Sequence, residues 1–509
     1  MFLYFLPLFP LLAAANPIWH AKSSRALVQA LEKRDAGFNV SFPISSQASL
    51  ITPESEDWAS ASLRWSTWSA PQFDVVFAPA TEQDVVTGLE YLTSINASFL
   101  AKGGGHGNSL TLASVQNGVM INMEQFDHVV VNPDQTITFG GGARFGALYE
   151  TAYDAGRELT LGSCACVGAT GATLGGGHGR LQGKHGLAVD AVVKVRMALW
   201  NGTVVEASAS ENADLFWGMR GAGHNFGIVL ETTVKTWPQE NKGMHYNADM
   251  TFTTDSLEGV VTTINDLIPS LDASLALDLF FYTDPSTAEP VIFLNIVYGG
   301  SKEKGQAFTK RFASTTKPHV KTPITRLVLN ETEVSWKDLP YESANGLINV
   351  ACIDGFAQNI YTASTAYMDV GLTRKVFDDY VAFVKNNPLA SNSIVFYEIF
   401  GQQAVVNQRD EESSVGNRKY AKVLNLIEAV YSDDSVAAAG DAWARRWRDE
   451  WVKPKYSGYK REYVYQNYAH GDEPLEALYG YEPWRLTRLR KLKNQLDPHG
   501  FFSAYHSVS

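Results

Sequence analysis

The stretch from residue 162 to residue 186 constrains this chain more than any other part of it. It reads GSCACVGATGATLGGGHGRLQGKHG and contains nine glycines, two cysteines and two histidines. Glycine at this density gives up chain entropy for a backbone that turns sharply and approaches a ligand closely. Backbone amides in such turns bind anionic oxygens, including those of a pyrophosphate. We call this stretch the second glycine loop, and it predicts a site for a phosphate-bearing ligand.

A related loop, KGGGHG, occurs earlier at residues 102–107 and is called the first glycine loop. Each loop carries one nucleophilic side chain, His106 in the first and Cys164 in the second. Glycine-rich loops alone are common, but this pairing indicates a phosphate-bearing cofactor to which the protein can also bond. The alternatives are that His106 is an ordinary loop histidine and Cys164 a small buried residue.

Length and charge limit the function classes. A chain of 509 residues favours two domains, each with its own core. The net charge of −12 and the absence of a long basic run argue against nucleic acid as a partner. No segment beyond residue 15 is apolar enough to predict a transmembrane helix, so no membrane partner is expected.

The N-terminus indicates export. Residues 1–15, MFLYFLPLFPLLAAA, form an apolar run that ends in small residues, as in a secretory signal peptide. The alternative is a buried N-terminal helix. N-glycosylation sequons begin at Asn39, Asn96, Asn201 and Asn330. We therefore expect a secreted, N-glycosylated protein.

The hydrophobic pattern changes near residue 240. Before it, short strands alternate with turns: a strand at 73–77 precedes a helix that begins after Thr81, with Asp84 three residues on, and Asn201-Gly202 marks a hairpin. After it, longer strands are predicted at 276–282, 291–298 and 393–400, with helices at 301–312, 370–386 and 441–451. The second part is therefore predicted to be an antiparallel sheet with helices on one side, an α+β arrangement.

Three spaced motifs resemble those of the berberine-bridge-enzyme-like oxidases, which belong to the vanillyl-alcohol-oxidase, or PCMH-type, FAD proteins. G-x-C-x-x-V-G followed by G-G-G-x-G is met at 162–179, L-F-W-x-x-R-G-x-G-x-x-F-G-I-V at 215–229, and a Y-x-N-Y to D-P-x-x-F pattern at 465–501. The resemblance implies an α+β fold, with a two-part PCMH-type FAD-binding domain and a substrate domain whose antiparallel sheet is backed by helices. The implied boundaries are 1–15 signal peptide, 16–68 leader and first part of the FAD module, 69–240 FAD-binding domain, 241–460 substrate-binding domain and 461–509 C-terminal segment returning to the FAD domain.

The same resemblance implies that FAD is bound through two covalent bonds, one from His106 and one from Cys164. Valine at position 167, three residues after the cysteine, goes with oxidases in this family, so O2 is the expected acceptor and H2O2 the product. The further cofactor-binding residues that we predict are Gly103, Gly104, Gly105, Gly107, Val167, Gly168, Gly171, Gly176, Gly177, Asn225, Gly227, Ile228 and Asn467.

Hydride transfer to a flavin needs a base for the other proton. Tyr468 matches the position of the base in related enzymes, and strand alternation places Gln466 on its side, with Tyr465 and Asn467 facing away. Glu398 is the second candidate, because a glutamate in an apolar strand is costly unless it is paired. An alternative for Tyr468 is an aromatic packing role.

Substrate and cysteine pairing stay open at this level. We expect an oxidase of a small organic molecule, with oligosaccharide oxidation as an alternative and an inactive flavin-carrying binding protein as another. If Cys164 bonds to the cofactor, Cys166 and Cys352 remain as a candidate disulfide. The spacing of His106, His178 and His185 fits no common metal site. The oligomeric state is not indicated by the sequence.

Overall fold

The computed structural model describes residues 44–314 and 324–509. The predicted signal peptide at 1–15 and the sequon at Asn39 lie outside the described residues. Within the described ranges, no helix has both the length and the apolarity needed to cross a membrane.

The first sheet delivers the first glycine loop. Its order is β1-β2-β4-β3, with β2, β4 and β3 parallel and β1 antiparallel at the edge. The helix Glu82–Ser94 forms the crossover, and the capping box between Thr81 and Asp84 confirms its predicted start. The strands are β1 (Ser49–Ile51), β2 (Phe73–Ala78), β3 (Phe99–Lys102) and β4 (Gly118–Asn122).

The next strands surround the second glycine loop. They are β5 (Val129–Val131), β6 (Ile137–Gly140), β7 (Arg157–Glu158), β8 (Val192–Ala198), β9 (Val204–Ser208), β10 (Ile228–Val234) and β11 (Trp237–Pro238). Five of them form a sheet of order β5-β6-β10-β8-β9, while β11 pairs with β7. The β8–β9 hairpin confirms the turn predicted at Asn201-Gly202. The helices here are Phe145–Asp154, Ala169–Leu174, Gln182–His185 and Ala213–Ala222.

The part after residue 240 is built on a seven-stranded antiparallel sheet of order β15-β12-β14-β13-β17-β18-β16. Its strands are β12 (Met244–Phe252), β13 (Leu275–Thr283), β14 (Pro290–Tyr298), β15 (Arg326–Ser335), β16 (Ala357–Thr365), β17 (Ile394–Phe400) and β18 (Val423–Tyr431). One face packs against the helices Leu257–Leu267, Val370–Asn386 and Ala437–Trp451. The predicted antiparallel sheet backed by helices is thereby confirmed.

The C-terminal segment completes the core of the earlier sheets. Val464, Leu478, Leu489 and Val508 belong to the same buried cluster as the strands β6, β8 and β10. The buried Lys493 Nζ donates to Asn225 O at 2.9 Å and lies 2.6 Å from Asp497 Oδ2. The remaining α-helices are Trp58–Ala61, Lys302–Thr309, Leu339–Glu342, Gln403–Asn407, Pro454–Ser457, Leu475–Tyr479 and Pro483–Leu496.

Candidate active site

The two glycine loops touch through their backbones. A Cβ built on Gly104 would lie 2.2 Å from the backbone nitrogen of Gly168, and one on Gly103 would lie 2.8 Å from Gly141 O. Gly105 has φ +80°, a left-handed conformation that favours glycine. The lack of a side chain at Gly104 is therefore what allows the two loops to lie against each other, and at Gly103 it allows the close approach of Gly141.

His106 lies beside an aromatic ring and near positive charge. Its imidazole stacks on Trp65 with ring centroids 5.1 Å apart. Burial, followed by the charges of the nearby Arg144 and Arg64, lowers the pKa of His106 to about 3. The imidazole is therefore neutral near pH 7, with a free nitrogen lone pair that can act as a nucleophile.

Three cations surround the first glycine loop. Arg64 and Lys102 are buried and Arg144 is partly buried. Arg64 Nη2 donates to Gly107 O at 2.8 Å, and Arg144 Nη1 donates to the carbonyl of Cys166 at 2.7 Å. Within residues 44–314 and 324–509, no carboxylate pairs with any of the three within 4.0 Å. Such uncompensated positive charge fits the anionic pyrophosphate of the cofactor that the resemblance implies. The sequence motifs did not mark Arg64 or Arg144.

Cys164 is a free thiol at the large sheet. The candidate disulfide is confirmed, since Cys166 and Cys352 are bonded. Cys164 packs against the apolar cluster of Phe280, Phe293 and Ile348. Burial, followed by the nearby Glu398, raises the pKa of the Cys164 thiol to about 12. Among the described residues, Cys164 thus has no disulfide partner and remains free to bond to a cofactor. It faces the large sheet.

Tyr468 and Glu398 form the candidate proton-transfer pair. The Tyr468 hydroxyl donates to Glu398 Oε2 at 3.0 Å. Burial, then repulsion from Asp278, raises the pKa of Glu398. Burial, then the Glu398 charge, raises the pKa of Tyr468 well above its usual value. Tyr468 also packs in one cluster with Trp65, so the pair lies next to the ring that stacks on His106.

The prediction that 465–468 is a strand with alternating faces is wrong. Gln466–Tyr468 form a short 3₁₀ helix, and the rings of Tyr465 and Tyr468 contact each other with centroids 4.8 Å apart. The Gln466 side chain instead donates to Gly175 O at 2.9 Å and to Gly221 O. Gln466 therefore holds the second glycine loop against the turn at Gly221 rather than facing the substrate side with Tyr468.

Other predicted cofactor contacts also shape the second glycine loop. Asn467 Nδ2 donates to Ala172 O at 2.9 Å and to the Tyr465 hydroxyl at 2.7 Å. That hydroxyl accepts from Gly177 N at 3.2 Å. Gly176 and Gly177 have φ of +121° and +76°. Tyr465 and Asn467 thus fix a backbone conformation that only glycine adopts readily.

Three predicted cofactor contacts, Asn225, Gly227 and Ile228, lie outside the two glycine loops. The Asn225 side chain is buried and accepts from Val508 N at 3.1 Å, so it binds the C-terminal tail. A Cβ on Gly227 would lie 2.4 Å from Ala198 O, and Ile228 begins β10. By contrast, Gly171 has open space around its Cβ position. The backbone N–H of Val167 donates to Cys164 O at 3.4 Å, so this valine is held directly beside the thiol loop.

Comparison with known proteins identifies similar chains. Residues 73–208 match a family model described as an FAD binding domain, and residues 464–509 match one described as berberine and berberine like. An FAD-linked oxidoreductase of Neurospora crassa, srdI, is 32% identical over 91% of this chain and 90% of that protein. The structure of Physcomitrella patens BBE-like 1 aligns with TM-score 0.74 and 23% identity over 91% of this chain and 96% of that one. A glucooligosaccharide oxidase from Acremonium strictum, described with 6-S-cysteinyl, 8α-N1-histidyl FAD, aligns with TM-score 0.72 and 19% identity over 91% and 97%.

Proposed function

Because the chain belongs to the berberine-bridge-enzyme-like FAD-linked oxidoreductases, we propose that it is an oxidase of a small organic molecule, with O2 as acceptor and H2O2 as product. When bound, FAD takes a hydride from an alcohol, amine or hemiacetal carbon and passes the electrons to O2. The observation that carries this proposal is the Tyr468–Glu398 hydrogen bond beside the free thiol of Cys164. Val167, at the position that holds valine in oxidases of the family, supports O2 as the acceptor.

We further propose that His106 and Cys164 both bond to the flavin. The disulfide leaves Cys164 as the free thiol of the described residues, and His106 is a neutral imidazole. The doubly linked FAD named for the Acremonium strictum oxidase supports the same pair of residue types. Arg64, Lys102 and Arg144 supply the charge that would hold the pyrophosphate.

Glu398 is the better candidate for the final proton acceptor, and Tyr468 for the residue that passes the proton to it. A phenol whose pKa lies above its usual value of about 10 stays protonated near neutral pH. Tyr468 can instead pass a substrate proton to the Glu398 carboxylate along their hydrogen bond. This assigns to the carboxylate the role that the motif alone gave first to the tyrosine.

The sheet face at Cys164 favours an apolar or aromatic substrate. Phe280 and Phe396 stack with centroids 4.4 Å apart, and Phe293 meets Phe280 edge to face. Ile348 and the partly buried Tyr282 extend the same cluster around Cys164. A planar organic molecule gains contact area on such an aromatic surface, and the polar groups on the same sheet face, Asp278 and Glu398, lie at its edge.

Secretion is also a proposal. The Cys166–Cys352 disulfide is typical of an oxidising compartment. The sequon residues Asn96, Asn201 and Asn330 are exposed on the described surface. Mass spectrometry of protein secreted by its native host, before and after removal of N-glycans, would test the glycosylation of all three.

The decisive experiment is to precipitate the purified protein with acid and record where the yellow colour goes. We expect flavin in the pellet, and still in the pellet for His106→Ala and Cys164→Ala alone, but released in the double variant. A panel of aromatic alcohols and of oligosaccharides is then assayed for H2O2. Flavin released from the parent protein would refute the covalent proposal, and turnover confined to oligosaccharides would refute the substrate class.

A further inference from the structure

Asp278 lies directly opposite Glu398 in the large sheet. The two residues are register partners on the antiparallel strands β13 and β17, so their side chains project from the same face. Side chains in such positions have Cβ atoms about 4.5–5.5 Å apart. Asp278 is 1% exposed and Glu398 is 5% exposed. Two buried carboxyl groups are therefore held side by side, and one of them binds Tyr468.

One cation faces this pair. Arg180, from the second glycine loop and 3% exposed, places Nη2 3.9 Å from Asp278 Oδ2. The same nitrogen donates to Ser343 Oγ at 3.1 Å. Among the residues that the structure describes, Arg180 Nε and Nη1 and Asp278 Oδ1 have no hydrogen-bond partner. Arg180 is thus the cation paired with Asp278, at ion-pair distance and without a hydrogen bond to it.

Charge balance then limits the number of protons. Two adjacent buried carboxylates cannot both ionise without a large penalty. A single guanidinium balances one negative charge, so the arrangement is neutral when the two carboxyl groups hold one proton between them. Asn295, opposite Asp278 on β14, has its Oδ1 without a partner and can accept a hydrogen bond from a protonated Asp278.

We propose that Asp278 and Glu398 share one proton in the resting enzyme, with Asp278 acting as a positioning residue that sets the protonation of Glu398. The proton removed from the substrate would pass through Tyr468 to this monoanionic pair and make it neutral, and bound FAD would supply the hydride acceptor. The other groups that interact with the Glu398 charge are Tyr468 and Tyr465 from the C-terminal segment and Cys164 and Arg180 from the second glycine loop. Glu428 from β18 acts on Cys164. This inference deepens the proposed function, on which it rests.

Infrared difference spectroscopy of the holoenzyme tests the inference, because the protonated carboxyl C=O band can be titrated without substrate. We expect two of the steps of proton loss to vanish or merge in Glu398→Gln, whereas the steps of other carboxyls with raised pKa values, such as the buried Glu428 and the partly buried Glu462, should persist. Asp278→Asn should leave a single step whose midpoint lies at least one pH unit, about tenfold in proton affinity, below the last step of the parent. Glu428→Gln, which removes a buried carboxyl that is not opposite Glu398, should leave both steps in place.

An unchanged last step in Asp278→Asn would overturn the inference. If Asp278→Asn does not fold, Arg180→Gln decides: loss of the cation should move both steps upward by at least one pH unit, and unchanged steps would equally overturn it. Asp278→Glu should keep two steps. Since no substrate is added, a failed search for substrate would count against the proposed function but not against the shared proton.

Discussion

At the residue scale, the chemistry rests on the hydrogen bond between Tyr468 and Glu398. Glu398 lies two residues from Phe396 on β17 and opposite Asp278 on β13, and the Tyr468 hydroxyl is its direct hydrogen-bond partner. Replacing Glu398 therefore removes the group that accepts the proton. Replacing Tyr468 removes only the hydroxyl that passes the proton to Glu398.

We expect Glu398→Gln to lower the rate of flavin reduction about 10²–10⁴-fold, the usual range for loss of a general base. Tyr468→Phe should lower it less, about tenfold to 10²-fold, because the carboxylate can still be reached through water. Anaerobic stopped-flow reduction measures both. Equal losses in the two variants would contradict this division of roles.

The pH dependence has a defined sign. Burial raises the pKa of both Glu398 and Asp278, so the pair loses its first proton above the ordinary carboxyl range of about 3.9–4.3. The acceptor must be deprotonated to work, so flavin reduction should rise with pH through that first step. A rate that is flat from pH 4.5 to pH 8 would speak against a carboxylate acceptor.

The contact between the glycine loops gives a residue-scale test of the cofactor site. Gly104→Ala would press a methyl group on the backbone of Gly168, which cannot move as a flexible side chain would, and should cost about 1–3 kcal/mol of stability together with FAD content. Gly371→Ala, in the helix Val370–Asn386, is the matched control, because its Cβ would meet only Asp369 Oδ1 at an ordinary contact distance of 3.6 Å. Thermal melts and bound flavin per chain measure both. Intact flavin content in Gly104→Ala would show that the loops can separate without loss of the site.

At the scale of elements, the 3₁₀ helix Ser343–Cys352 covers the thiol. Ala344 and Ile348 from this element pack in the cluster around Cys164, and Trp65 Nε1 donates to Ala351 O at 2.8 Å. Cys352 at its end is bonded to Cys166, two residues from Cys164. The disulfide therefore links the 3₁₀ helix Ser343–Cys352 to the second glycine loop, whose thiol this helix covers.

The variant Cys166→Ser/Cys352→Ser should lose about 2–5 kcal/mol of stability, because the disulfide closes a long loop, with a sequence separation of 186. Added reductant should leave the melting temperature of this double variant unchanged. The same reductant should lower the melting temperature of the parent to that of the double variant. Cys164→Ser is the control and should stay sensitive to reductant. Equal melting temperatures for the parent and the double variant would refute this role.

The sequence predicted correctly those elements that depend on a short-range pattern. The structure contains three of them: the helix start at Thr81, the turn at Asn201-Gly202 and the helix at 370–386. The strands β16 and β18 had no comparable signal, because they are buried on both faces and carry polar residues such as Asn359 and Asn425. Tertiary hydrogen bonds from Gln466 similarly override the alternation expected at 465–468.

At the scale of the whole molecule, the C-terminal segment and the first half share one core. Lys493 joins them, since its buried ammonium bonds to Asn225 O, Phe502 O and Asp497. The motifs alone pointed to His106 and Cys164, and their roles at the cofactor stay a prediction. Arg64, Arg144 and Asp278 could not be found in this way, because only the assembled fold brings them to the loops. Arg180 lies within the second glycine loop, but only the fold places it beside Asp278.

Lys493→Met should destabilise the protein by about 3–5 kcal/mol, because it leaves Asp497 as a buried charge without its cation. Lys491→Met, on the exposed side of the same helix, should stay within about 0.5 kcal/mol of the parent. Chemical denaturation curves compare them. Equal stabilities would show that the tail is dispensable for this core.

The cysteine arrangement also bears on how the protein matures. Cys164 and Cys166 are separated by one residue, and Cys352 can form a bond with only one of them. A disulfide between Cys352 and Cys164 would remove the thiol proposed for the flavin bond. It would leave Cys166, whose carbonyl accepts a hydrogen bond from Arg144, as a free thiol. Correct oxidation thus depends on the chain having already folded around Cys166, so the yield of doubly bonded flavin becomes a measure of the order of folding and oxidation. Overproduction under strongly oxidising conditions, before folding is complete, should give a larger fraction of chains whose flavin is bonded through His106 alone.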